Sequence, residues 1–228
     1  MKNSVEKSGG RFGVVGVIIL IALGGVVQTK DAWARSPKVK DEPILKVGVY
    51  NYAHIDGLEL REAEEHAARL FAVAGVRITW LDCASAPEEV AMYPQCANRD
   101  VILRILSPTM SNRFDSHAEA LGAAIPVPEP ERSWVASVFN GRVAGLAFSW
   151  TLDPSVVLGE AAAHELGHLL LGPGHARDGI MRANWTRQDL ESASRGGLQF
   201  TGDEAAILKG AVATLRSKAR PLLVAGHQ

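Results

Sequence analysis

The segment Pro154–Leu171 limits what this chain can become more than any other. Val156, Val157, Leu158, Ala161, Ala162, Ala163, Leu166, Leu169, Leu170 and Leu171 make it apolar on nearly every side. A helix of that character has no solvent face and belongs in the interior of a domain. Asp153 can accept from the first free N–H groups and Pro154 suits the first helical position. Gly172 and Pro173 end the run. Set into this apolar helix are His164, Glu165 and His168. Two imidazoles and a carboxylate buried without compensation would cost several kcal/mol, so they need a partner.

At about 3.6 residues per turn, His164 and His168 lie on one face, close enough to share one metal ion. Glu165 stands beside His164, where its carboxylate can reach a water at the metal without being a ligand. Zinc brings the pKa of such a water towards about 7, and the carboxylate then takes its proton. We therefore expect one catalytic zinc held by His164 and His168, with Glu165 as the base. The third ligand must come from beyond the helix. His175 follows the turn-forming Gly172-Pro173-Gly174, which can swing the chain back towards the metal. A later carboxylate is the rival: Glu191 first, then Glu204, with Asp178 a further option.

His164, Glu165, His168, Gly172, His175 and Met181 together resemble the metzincin clan of zinc proteases, whose pattern is His-Glu-x-x-His-x-x-Gly-x-x-His with a downstream Met-turn. Gly172 and His175 each stand one residue further from His168 than in that pattern. The resemblance covers about Ile44 to Trp185. It implies that His175 is the third ligand and that Met181 packs beneath the metal without binding it. It also implies that Leu121–Val127 is an exposed edge strand along which an extended peptide is aligned as an added strand.

The rest of the chain suggests an α/β (α+β) domain: a mixed, twisted sheet with a backing helix, the buried helix, then a smaller irregular and helical part. Alternation and Val/Ile/Tyr content predict strands over Ile44–Tyr52, Val76–Leu81, Asp100–Leu106, Leu121–Val127 and Ser133–Phe139. A helix is expected over Leu58–Ala74, with Leu60, Ala63, Ala67, Leu70 and Phe71 on one face and Gly75 just past its end. The order is thus strand, helix, four strands, then the buried helix, with a turn at Pro128–Pro130. Thr186–Asp189 and Thr201–Glu204 carry capping-box patterns, the second opening a terminal helix to about Lys218. An upper part (44–172) would hold the paired histidines, and a lower part (173–228) the third ligand and the Met-turn. Trp185 is expected to serve packing, and His54, His66 and His117 to be surface or locally bonded, with His227 in the tail. Glu160, one turn before His164, reads as a plain helix charge or a hydrogen-bond support for that imidazole.

Lys2, Lys7 and Arg11 precede an apolar run, Phe12–Val27, and Ala32-Trp33-Ala34 then offers a small-x-small cleavage pattern. The run has 16 residues and four glycines, short of the roughly 20 apolar residues of a membrane span. We expect a signal peptide over 1–34 cleaved after Ala34, in preference to an uncleaved anchor, and a secreted or periplasmic domain over 35–228. The nine residues before the first strand contain no Cys that could block a metal, so no pro-segment is expected. Formal net charge is -1 and offers no basic footprint for nucleic acid or an anionic membrane. Cys83 and Cys96 are an even pair in an exported chain, so a disulfide is expected, worth about 3 kcal/mol in the chain-entropy model.

These readings converge on an exported zinc-dependent endopeptidase acting on a peptide or protein substrate. Its rivals are a thermolysin-like arrangement with a carboxylate third ligand, a metallohydrolase cutting a non-peptide amide, and a silent zinc-stabilised binding protein. The intact Glu165 argues against silence, because a structural zinc site has no use for that carboxylate.

Overall fold

The computed structural model describes residues 42–83, 92–114, 119–126 and 134–219. The expected signal peptide, the turn at Pro128–Pro130, His117 and His227 lie outside them.

Strand β1 (Ile44–Asn51) buries Leu45, Val47 and Val49 on one face, as its alternation requires. The Asp56 carboxylate accepts from the Leu58 N–H and opens helix α1 (Gly57–Val73), which buries Ala63, Ala67, Leu70 and Phe71. Gly75 follows its end, and the chain returns as β2 (Arg77–Asp82), parallel to β1. A Cys83–Cys96 disulfide joins the end of β2 to a short 3-10 turn, Pro94–Asn98, the pairing expected from the sequence. Strand β3 (Val101–Leu106), a single-turn helix α2 (Pro108–Ser111), β4 (Gly122–Pro126) and β5 (Trp134–Phe139) follow.

The five strands form one mixed sheet in the order β2-β1-β3-β5-β4. All neighbours are parallel except β4, which runs antiparallel to β5 and occupies the edge. The edge position expected for this strand is therefore observed, with Ile125 exposed on it. One sheet face presents Leu45, Val47, Val49, Val101, Leu103, Ile105, Ala136 and Val138 to α1 and to α4 (Pro154–Leu171), and these residues share one apolar core. Helix α4 begins where Asp153 accepts from the Ser155 N–H and ends at Gly172.

The sequence reading ran from β5 straight to α4, and that is corrected: an additional helix, α3 (Asn140–Trp150), intervenes. Gly141 and Gly145 hid it, each costing about 1 kcal/mol of helix propensity relative to Ala. Burial of Val143 and Ala147 supplies what propensity does not. Beyond α4 come α5 (Arg187–Ala193) and α6 (Gly202–Ala219). Both expected caps form. Thr186 and Asp189 exchange a reciprocal pair of bonds at α5, and Thr201 and Glu204 do so at α6. Helix α6 docks on α4 through the buried Leu208 and Val212. No helix among the described residues is long and apolar enough to cross a membrane.

Candidate metal centre

Helix α4 buries fourteen of its eighteen residues, so its three polar side chains near the C-terminal end are held by packing. His164 is 8% exposed and Glu165 7%; His168 is half-buried and His175 exposed. His164, His168 and His175 each offer one ring nitrogen, and the three lie within 4.8 Å of one another. Nitrogens around one tetrahedral zinc sit about 3.4 Å apart, given Zn–N bonds of about 2.0–2.1 Å. The observed nitrogens, 3.0 Å apart for His164 and His168 and all three within 4.8 Å, lie around that spacing. Gly172, with φ +96°, turns the chain at the end of α4 in a conformation that L side chains rarely adopt. Helix α4 continues to Leu171 before that turn.

The hydrogen bonds show what the paired rings present. His164 Nδ1 lies 2.8 Å from the Ile180 carbonyl oxygen, and His168 Nδ1 lies 3.3 Å from that of Gly172. A carbonyl only accepts, so both Nδ1 atoms carry the proton and both Nε2 atoms are lone pairs. Those two Nε2 atoms face each other at 3.0 Å. Burial holds the His164 pKa down to about 4 and that of His168 below its ordinary value, so a proton is a poor occupant of the gap. Two converging lone pairs, with a third imidazole beside them, suit a soft-to-borderline divalent cation such as zinc.

Glu165 is pushed up to about 8 by burial. Its side chain lies across β4 at Gly122, where a β-carbon would come within 2.6 Å of Glu165 Cγ and 2.5 Å of the Ser137 carbonyl oxygen. Only glycine lets the carboxylate lie this close to the edge strand. Met181 is buried beneath α4, its Sδ 2.6 Å from where a β-carbon on Gly167 would be. The site opens into a cleft of about 1580 Å³ bounded by the start of β4, by Leu146 and Trp150 of α3, by the three histidines and Glu165, and by Trp185.

The rival carboxylates lie elsewhere. Glu191 is exposed and pairs with Arg187 at 2.6 Å, Glu204 bonds the Thr201 N–H, and Asp178 is exposed; none joins the histidine group. His54 is exposed, as expected. His66 takes the bonded alternative and not the surface one: it is only 4% exposed, its Nδ1 accepts from Arg69 at 3.2 Å and its Nε2 bonds Glu160 Oε1 at 2.9 Å. One expectation is corrected. Glu160 is fully buried, and it supports His66 of α1 instead of acting as a plain helix charge or holding His164. Burial raises the Glu160 pKa, partly offset by that bond.

The sequence reading missed three contributors. Gly122 carries no signal in a single sequence. Helix α3 had one, since Val143, Leu146, Ala147 and Trp150 recur at helical spacing. Trp185, expected only to pack, also donates from Nε1 to the Ile180 carbonyl.

No protein-family model and no curated protein sequence matches the chain. Among solved structures it is similar to archaemetzincin from Methanopyrus kandleri, at 16% sequence identity and a TM-score of 0.45, over 77% of this chain and 99% of that one. Likeness at that level carries no functional weight, so the chemistry must come from the side chains.

Proposed function

We propose that this chain is an exported zinc-dependent endopeptidase, with zinc held by His164, His168 and His175 and Glu165 as general base. The observation that carries the reading is the convergence of three imidazole nitrogens, two of them fixed as lone-pair donors, beside a buried carboxylate at the head of a cleft. Zinc bound there would supply Lewis acidity, making water more acidic and polarising the scissile carbonyl.

The chain's own groups do the rest. The two carbonyls, Ile180 O and Gly172 O, keep the His164 and His168 rings in the binding tautomer and orientation. Glu165 accepts the proton of the attacking water and passes it to the leaving amine. A neighbouring cation favours the carboxylate form, so its pKa falls below the value of about 8 that burial alone gives. Among the described residues β4 has a strand neighbour on one side only, so a substrate can lie extended along its other side as an added strand, and the close approach at Gly122 brings Glu165 to that line. The disulfide and the leader over 1–34 support an address outside the cytoplasm, with a mature chain from about Arg35.

A mixed internally quenched peptide library tests this. The zinc-loaded protein is expected to cleave within peptides, to stop on chelation and to resume when zinc is restored. Cleavage that survives Glu165→Gln at the wild-type rate would contradict the assigned base. A protein that loads zinc but cuts no peptide, while releasing an amide from a cell-wall fragment, would move the substrate class.

A further inference from the structure

Two N–H groups converge on the carbonyl oxygen of Ile180. His164 Nδ1 lies 2.8 Å from it and Trp185 Nε1 3.0 Å. A carbonyl oxygen has two lone pairs, so these donors fill it. Ile180 is fully buried, and water is not at hand to replace either donor. Its peptide is held from the other side as well, because the Ile180 N–H donates to the Gln199 carbonyl at 2.9 Å. The Trp185 ring meets the His164 ring edge-on, with centroids 5.3 Å apart and planes at 89°. One side chain thus borders the imidazole and shares its acceptor.

The consequence concerns tautomers. A neutral histidine carries its proton on either ring nitrogen, and the choice follows the hydrogen bond that the other nitrogen makes. With Ile180 O in place, His164 keeps the proton on Nδ1 and turns the Nε2 lone pair towards His168 and His175. If that carbonyl rotated away, the Nε2–H form would become available and would present a proton where a ligand is needed. The indole N–H holds the second lone pair of the carbonyl, and with it the direction of the first.

We infer that Trp185 is a positioning residue of the metal centre: by anchoring the Ile180 carbonyl it sets the tautomer and ring orientation of His164. This rests on His164 being a zinc ligand, as proposed above, and the test separates the two ideas.

The full-length chain is prepared as wild type, as Trp185→Phe, with a tryptophan analogue at 185 that has sulfur in place of the indole N–H, and as His164→Ala. Zinc affinity is read by competition with a chelator, the cobalt-substituted form by its visible absorption, and the metal-free form by 15N NMR of the histidine rings. The sulfur analogue keeps the shape of the side chain, so it isolates the N–H even if Trp185→Phe disturbs the fold. Expected for both Trp185 replacements is a loss of zinc affinity of about tenfold, the lower end for disrupted outer-shell partners. A shifted cobalt spectrum and a mixed His164 tautomer should accompany it. Zinc affinity unchanged within about twofold in the analogue, with His164 still wholly Nδ1-protonated, overturns the inference while leaving the zinc site standing. Stoichiometric zinc in His164→Ala, or none in wild type, overturns the site and the inference with it.

Discussion

Helix α4 carries two histidine–glutamate associations one turn apart, and they have opposite characters. Towards its C-terminal end, His164, Glu165 and His168 face a cleft, with ring lone pairs converging and no protein donor between them. One turn earlier, Glu160 faces α1 and meets His66 in a sealed interior, 0% and 4% exposed. In that second pair the Arg69 guanidinium donates to His66 Nδ1 at 3.2 Å, so His66 donates from Nε2 to Glu160, and only Glu160 Oε2 lacks a partner. The residue types are the same. What separates a site from a structural pair is the direction of the lone pairs: outward and unmatched in one, inward and matched in the other except at Glu160 Oε2.

That contrast can be broken at either end. His164→Ala is expected to abolish stoichiometric zinc and to reduce peptide cleavage to background, measured by elemental analysis and by the quenched-peptide assay. Glu165→Gln should keep its zinc and lose about 10²–10⁴-fold in kcat, the span of a general base. If zinc and activity fell together in that variant, Glu165 would be a ligand or a packing residue. His66→Ala should do the reverse. It leaves a buried carboxyl without its partner and should cost about 3–5 kcal/mol of stability in denaturant titration, with zinc stoichiometry unchanged. Loss of zinc in a His66 variant that remains folded would merge the two clusters into one functional unit.

A pH-dependent effect of similar size follows from Glu165 in metal-free protein. Its folded pKa, about 8 against an ordinary 4.5, means that the folded state holds a proton the unfolded chain gives up. The stability linked to this group is therefore complete below pH about 4.5 and is lost as pH rises towards 8. Glu165→Gln should match wild type at pH about 4.5 and exceed it at pH 8 by on the order of 4 kcal/mol in thermal or denaturant unfolding with chelator present. Equal stabilities at both values would show that the carboxylate is solvated. Least affected is Glu191→Ala, which removes an exposed pair with Arg187 and should change stability by less than about 1 kcal/mol.

Much of the fold was legible because burial dictates it. The alternation in β1, the apolar periphery of α4 and the caps at Asp153, Thr186 and Thr201 each reflect a local rule, and each element appears where that rule puts it. Cys83 and Cys96 were readable from their number and the expected compartment. Helix α3 was not, because two glycines weaken its propensity and tertiary packing of Val143 and Ala147 holds it. Of the candidate site, the pairing of His164 and His168 followed from helical spacing. The glycine turn left His175 in competition with Glu191, Glu204 and Asp178, and the metzincin resemblance is what favoured it. The partner of Glu160 was not legible, since an all-round apolar helix gives no sign of which neighbour a polar residue will face. Nor could spacing show that Gly122 admits Glu165 to the edge strand, or that Trp185 and His164 share one carbonyl, because both contacts join segments distant in sequence or depend on backbone direction.

The most direct test is the zinc content of the purified wild-type protein beside His175→Ala and Glu191→Ala. The account predicts about one zinc per chain in wild type and in Glu191→Ala, and a large loss in His175→Ala, as a three-histidine site requires. Full zinc in His175→Ala with loss in Glu191→Ala, or no zinc in wild type after reconstitution, would contradict it.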